Sequence, residues 1–87
     1  MDDSSDSKRR EKIMDDVINL LSGTFNLSPT DIKNDTNLTE DLTFDSMQLY
    51  EMVIDLEDAY DIRLPDEILE QISTVDDVVD TVMKLTE

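Results

Sequence analysis

Apolar residues recur every three or four positions along most of this 87-residue chain, and this spacing predicts a fold built from α-helices. A predicted N-cap at Ser4 or Ser7 starts the first helix, and Gly23, the only glycine, ends it. The inward stripe of this helix consists of Ile13, Val17, Leu20 and Leu21. Residues 1–6 are polar, so we expect a disordered N-terminus followed by one domain over residues 7–87.

The second half of the sequence predicts three more helices. The second helix runs from about Asp45 or Ser46 to Tyr60 and a short third one opens at Pro65 and continues to about residue 72. A capping box at residues 74–77 starts the fourth helix. The sequence contains no β-hairpin signal and no internal repeat. We therefore expect an all-α fold, a small four-helix bundle with three longer helices and one short one.

A long loop separates the first two predicted helices, from about Thr24 to Phe44. It is rich in Asn, Asp, Thr and Ser and shows no sustained apolar period. Ser28 and Pro29 start one short helical turn inside it, with Asp31 at the third helical position. Isolated apolar side chains are expected to pin the loop to the core: Phe25, Leu27, Ile32, Leu38 and Leu42. Ordered loops of this length usually have a function.

Charge and composition exclude several classes of function. The chain has 7 Lys and Arg against 23 Asp and Glu, and its net charge of -16 repels nucleic acid and anionic membranes. We expect a monomer that binds basic proteins. Because the chain has no Cys and no His, we expect neither an enzyme nor a metal site, and no Asp-x-Asp-x-Asp-Gly calcium loop is present. The polar N-terminus and the absence of a long apolar run predict a cytoplasmic protein without membrane insertion.

The predicted second helix carries two apolar stripes when its residues are placed at about 100° intervals. The core stripe contains Leu49, Met52, Val53, Leu56 and Tyr60. The opposite side combines three apolar and three acidic residues: Met47, Tyr50, Ile54, Glu51, Glu57 and Asp58. An apolar patch with a charged rim is typical of a docking surface for another protein. The alternative is that the long loop covers Tyr50 and Ile54, so that the helix is buried on two sides.

Ser46 stands in the first turn of this helix, directly after Asp45. Free backbone N–H groups and the positive end of the helix dipole stabilise an anion there, so the Ser46 hydroxyl is well placed to become a phosphodiester. From these residues alone, a simple N-cap role for Asp45 or Ser46 is the better supported interpretation.

The stretch from Glu40 to Val82 contains an ordered set of segments: Glu40-Asp41-Leu42, Asp45-Ser46-Met47, Glu51, Leu56-Glu57-Asp58, Ile62-Arg63-Leu64-Pro65-Asp66-Glu67 and Ile72-Ser73-Thr74-Val75. Together, in this order and spacing, they carry a resemblance to the acyl carrier protein family. It implies a carrier of acyl thioesters in fatty acid or related lipid or polyketide synthesis, with acyl chains folded between the helices. By this resemblance, a holo-synthase transfers 4′-phosphopantetheine from coenzyme A to Ser46, beside Asp45.

The resemblance also implies that basic patches of loading, elongating and acyl-transfer enzymes dock on the second helix. The matching positions are Met47, Glu51, Ile54, Glu57 and Asp58, with Tyr50 where a smaller aliphatic residue is commoner.

Three residues around the serine depart from the pattern of the fatty acid carriers. Thr43 and Phe44 replace small residues, one of them usually Gly, and Met47 replaces Leu. Phe-Asp-Ser-Met also resembles the D-alanyl carrier proteins, so a D-alanyl or aminoacyl carrier is the alternative, to be separated by its loading enzyme. A cationic cluster at the start of the first helix has no assigned role and opposes the helix dipole: Lys8, Arg9, Arg10 and Lys12.

Overall fold

The computed structural model describes the backbone of residues 3–86 and the side chains of residues 7–86. Within this range the chain forms α1 (Asp3–Phe25), the 3-10 turn η1 (Pro29–Asp31), α2 (Ser46–Tyr60), α3 (Asp66–Leu69) and α4 (Val75–Leu85). Strand-like pairing in the described residues is limited to one isolated bridge. The all-α prediction with four helices is confirmed, but α3 is a single turn and ends three residues before the predicted end.

α1 begins earlier than the sequence predicts. Its backbone is helical from Asp3, so neither Ser4 nor Ser7 is its N-cap. Residues 1 and 2 lie outside the described range, and the proposed division into a disordered segment (1–6) and a domain (7–87) stays a prediction.

The predicted helix stop at Gly23 is wrong, because α1 continues to Phe25. Asn26 ends the helix in the left-handed conformation, with a φ of 57°. The N–H of Leu27 then donates to the carbonyl of Ser22, five residues earlier, at 3.1 Å. This is the 6→1 hydrogen bond of a Schellman motif. Asn is one of the few residues besides Gly that enters this conformation readily, so the asparagine takes the role predicted for the glycine.

The core lies between α1, α2 and α4, and the predicted inward stripes form it. Its buried helical residues are Ile13, Val17 and Leu21 from α1, Met52, Val53 and Leu56 from α2, and Val75, Val78, Val79 and Val82 from α4. The remaining predicted stripe residues of α1 and α2 are half-buried: Leu20, Leu49 and Tyr60. Leu85, which the sequence pattern also places on the apolar side of α4, is 39% exposed because it is the last residue of the helix. None of the helices between residues 3 and 86 is long and apolar enough to cross a membrane.

The loop between α1 and α2 is docked on the N-terminus of α4. The first N–H groups of a helix have no partner within the helix. Here Val75 donates to the carbonyl of Thr36 at 3.0 Å, and Asp76 donates to the carbonyl of Asn34 at 2.8 Å. The predicted capping box, with Asp77 as its acidic member, closes the same helix end. Two of the predicted apolar anchors are fully buried and three are half-buried: Ile32 and Leu38, then Phe25, Leu27 and Leu42.

Two arginines of the unassigned cationic cluster hold the start of α1 against α4. Arg10 forms ion pairs with the carboxylates of Asp76 and Asp80. Arg9 donates to the backbone carbonyl of Met83 at 3.1 Å. Because these side chains are partly exposed, each ion pair contributes modestly to stability, and the arginines add polar links beside the apolar core that α1 and α4 share.

Candidate functional site

Ser46 is the first residue of α2, and a capping box holds the backbone around it. The Asp45 carboxylate accepts a hydrogen bond from the N–H of Gln48 at 2.9 Å, and the Gln48 side chain accepts one from the N–H of Asp45 at 3.0 Å. Asp45 is therefore the N-cap, and the alternative in which Ser46 caps the helix is wrong. The Ser46 side chain is exposed at the helix start.

Phe44 fixes the chain immediately before this turn. Its side chain is 5% exposed and its ring centroid lies 4.5 Å from that of Phe25. Its N–H donates to the carbonyl of Leu38 at 3.0 Å. The sequence singles out Phe44 only through family patterns and gives no sign of this packing, because a lone apolar residue in a loop carries no period. The aromatic pair anchors the segment that leads into Ser46.

Thr43 adopts a conformation that favours glycine. Its φ is 56°, in the left-handed region, which is sterically costly for a β-branched side chain. The side chain is exposed, and its hydroxyl donates to the carbonyl of Leu42 at 2.6 Å. A glycine would adopt this φ without that cost. The backbone is therefore strained just before the capping box.

A groove of about 290 Å³ opens beside Ser46, between α2 and α3. Its lining consists of Ser46, Leu49, Tyr50, Asp66, Leu69 and Glu70. Leu49 and Leu69 are half-buried and pack against the core, whereas the other lining residues are exposed. The hydroxyl of Tyr50 donates to the Asp66 carboxylate at 3.4 Å, a long hydrogen bond between the two sides of the groove. A chain attached to Ser46 would start at the mouth of a groove with an apolar base.

The outer face of α2 is the side that carries the six predicted docking residues. Three large apolar side chains are exposed on it, Met47 at 72%, Tyr50 at 49% and Ile54 at 60%. The carboxylates of Glu51 and Asp58 are exposed as well. The alternative in which the loop covers Tyr50 and Ile54 is therefore wrong, and the structure brings these five residues together on one accessible surface.

Glu57, the sixth predicted docking residue, has a different environment. It is half-buried, and its Oε2 accepts a hydrogen bond from the N–H of Leu64 at 2.7 Å. Leu64 itself is 5% exposed and lies in the connection between α2 and α3. The helical period places Glu57 on the outer face but gives no sign of this contact with the following segment.

The residues around Ser46 fit an attached phosphate group. The capping box uses the N–H groups of Asp45 and Gln48, which leaves those of Ser46 and Met47 at the helix start to meet an anion. The hydroxyl is exposed, and the groove beside it can receive part of a flexible substituent.

Comparison with known proteins identifies the family. A model of the phosphopantetheine attachment site matches residues 15–82. The acyl carrier protein of Sulfurovum sp. is 39% identical over 67 residues, which cover 77% of this chain and 89% of that protein. The acyl carrier protein of Prochlorococcus marinus is 39% identical over 70 residues, covering 80% of this chain and 88% of that protein.

The fold agrees with a solved member of the same group. The crystal structure of an acyl carrier protein from Thermotoga maritima matches with a TM-score of 0.77 and 26% identity, covering 88% of this chain and 89% of that one. The match thus extends over nearly the whole length of both chains. The chain belongs to the acyl carrier protein family, whose members carry acyl groups as thioesters on a covalent 4′-phosphopantetheine.

Proposed function

We propose that Ser46 is the residue of this acyl carrier that holds the 4′-phosphopantetheine, and that the chain serves fatty acid synthesis or a related lipid or polyketide pathway. The observation that supports the assignment is the exposed hydroxyl on the first residue of α2, which borders the groove and lies within the matched residues 15–82. Asp45 is the N-cap of α2, so the Ser46 hydroxyl is not needed for capping.

The attachment is a phosphoryl transfer from coenzyme A. The Ser46 Oγ bonds to the phosphorus of the pantetheine phosphate, the pyrophosphate bond breaks, and adenosine bisphosphate leaves. The Ser46 proton passes to a base of the holo-synthase, because this chain has no His and the neighbouring Asp45 carboxylate already accepts the N–H of Gln48. The N–H groups of Ser46 and Met47 stabilise the phosphodiester charge. When attached, the arm supplies the thiol that forms the acyl thioester.

We propose that the partners are the holo-synthase and the loading, elongating and acyl-transfer enzymes, which dock basic patches on the outer face of α2. The carboxylates of Glu51 and Asp58 would steer the encounter, and the exposed Met47, Tyr50 and Ile54 would supply apolar contact. The chain would act as a carrier and not as a catalyst. The monomeric state and the cytoplasmic location stay predictions of the sequence.

A D-alanyl or aminoacyl carrier is the second candidate. It is supported by the Phe44-Asp45-Ser46-Met47 segment, whose Phe44 is buried against Phe25 and therefore shapes the approach to the serine. Loading separates the two functions. The holo protein should accept acyl groups from an acyl-loading enzyme, and efficient charging by a D-alanine ligase instead would favour the second candidate.

The attachment site is tested by incubating the purified chain with coenzyme A and a phosphopantetheinyl transferase and measuring the intact mass. The wild type should gain one phosphopantetheine. Ser46→Ala should abolish the gain and keep the helical circular dichroism signal, while Ser28→Ala, at an exposed serine in the loop, should be modified like the wild type. Modification that persists on Ser46→Ala would contradict the assignment.

A further inference from the structure

The hydrogen bond between Glu57 and Leu64 links the last turn of α2 to the segment that leads into α3. The Oε2 to N distance is 2.7 Å, short for a backbone N–H donor, as expected when the acceptor is a carboxylate. Leu64 is 5% exposed, so its N–H lies at the edge of the core, where an unpaired donor would be costly. Glu57 therefore satisfies a group that water reaches poorly.

This segment determines where α3 lies. α2 ends at Tyr60, its C-cap Asp61 reverses the chain with a φ of 55°, and Pro65 is the N-cap of α3. α3 has only four residues, too few to be stable without contacts to the rest of the fold. Its orientation must therefore come from contacts with the rest of the fold: Ile68 and Leu69 pack against the core from within α3, and Leu64 is the nearest anchored residue on its N-terminal side.

The position of α3 in turn shapes the groove beside Ser46. Asp66 and Leu69 of α3 form one side of it, and Leu49 and Tyr50 of α2 form the other. The one direct polar link between these sides in the described residues, from Tyr50 to Asp66, is 3.4 Å long and exposed. The shorter and less exposed bond at Glu57 is thus the stronger polar restraint on the distance between α2 and α3.

We propose that Glu57 is a positioning residue for the groove: its carboxylate holds Leu64 and thereby keeps α3 beside Ser46. Glu57 thus differs from Glu51 and Asp58, which are exposed charges of the outer face. The inference rests on the proposed attachment at Ser46 for its functional consequence, because a groove held in shape can shelter the acyl thioester from solvent.

Two conservative substitutions separate this role from a docking charge. Glu57→Gln removes the charge but keeps an acceptor oxygen at the same reach, whereas Glu57→Asp keeps the charge but shortens the side chain by one methylene. If Glu57 only steers partners, the Asp variant should behave as wild type and the Gln variant should be impaired. A positioning role predicts the opposite result: the Asp variant should loosen the Leu64 N–H and the groove, and the Gln variant should keep both as they are in wild type.

The first measurement is amide hydrogen exchange of the protein before phosphopantetheine is attached, which does not depend on the attachment site. We expect Glu57→Asp to speed exchange at Leu64 and at Leu69 in α3 by about tenfold or more, and Glu57→Gln to stay within about threefold of wild type. Glu51→Asp and Glu51→Gln are the matched controls and should leave both amides unchanged. Equal exchange in the two Glu57 variants would overturn the proposal.

The second measurement is the rate at which hydroxylamine cleaves the thioester of the octanoyl-loaded protein. Glu57→Asp should be cleaved several-fold faster than wild type and both Glu51 variants, with Glu57→Gln close to wild type. Failure of loading at Ser46 would count against the attachment site, and normal loading with equal cleavage rates would count against the role of Glu57. The two failures are therefore distinguishable.

Discussion

Replacing Thr43 by glycine should stabilise this protein, although the substitution removes a side chain. Thr43 has a φ of 56°, and left-handed backbone costs an L-residue about 1–2 kcal/mol. Glycine adopts this conformation without that cost. The Thr43 side chain is exposed, and its one hydrogen bond, to the carbonyl of Leu42, can be replaced by water.

The gain is reduced by the greater freedom of glycine in the unfolded chain, which costs roughly 0.5–1 kcal/mol. At the midpoints of these two ranges, the difference leaves a net increase of about 0.75 kcal/mol in the free energy of unfolding. For a domain of this size, that corresponds to a rise in melting temperature of about 3–6 °C. Thr43→Asn should lie between glycine and wild type, because Asn tolerates the left-handed region but keeps a Cβ.

Thermal and urea unfolding followed by circular dichroism would measure these differences. Thr39→Gly is the matched control, since Thr39 is also an exposed loop threonine but is not among the residues with positive φ. It should lose stability, by about 0.5–1 kcal/mol. If Thr43→Gly is no more stable than wild type, or if it falls as far as Thr39→Gly, the strain inferred at Thr43 is absent.

Three further results are expected. Glu51→Lys should slow modification by a basic phosphopantetheinyl transferase with little change in stability, whereas Leu56→Ala should cost about 2–5 kcal/mol; the reverse pattern would contradict the exposed outer face. Raising ionic strength should raise the melting temperature more than for a near-neutral helical domain, because 23 acidic residues repel one another; a melting temperature insensitive to salt would argue against this repulsion. Backbone hydrogen bonds from Ser73 and Thr74 hold the pKa of Asp77 below its usual value. A lowered folded-state pKa stabilises the fold above the unfolded pKa of about 3.9 and loses this effect as the pH falls through the folded value. The stability advantage of wild type over Asp77→Asn, from urea unfolding, should therefore shrink between about pH 5 and pH 2, and a constant difference would refute the linkage.

The sequence predicts α2 and its two faces well because a 15-residue amphipathic helix repeats the same signal several times. The core residues Met52 and Leu56 and the exposed Ile54 all lie where the helical period puts them. The start of α4 is predicted equally well, since a capping box is a local pattern of side chains at a fixed spacing.

The details around Ser46 could not be predicted, because they depend on contacts between distant segments. Thr43 has its positive φ between loop residues whose N–H groups donate to Asn37 and Leu38, and Phe44 packs on Phe25 at the end of another helix. Glu57 reaches Leu64 only because Asp61 turns the chain back in the left-handed conformation. None of these features leaves a periodic trace in the sequence.

The arginines that join α1 to α4 have a consequence for the order of folding. Arg10 contacts residues 66 and 70 positions further along the chain, and Arg9 contacts one 74 positions away. Bringing residues so far apart in the chain into contact has an entropic cost that local helix formation does not have. The arginine contacts between α1 and α4 should therefore form after the folding transition state. In stopped-flow chevron measurements, Arg10→Met should therefore accelerate unfolding and leave the refolding rate nearly unchanged. A slower refolding limb would show that the two helices already meet in the nucleus.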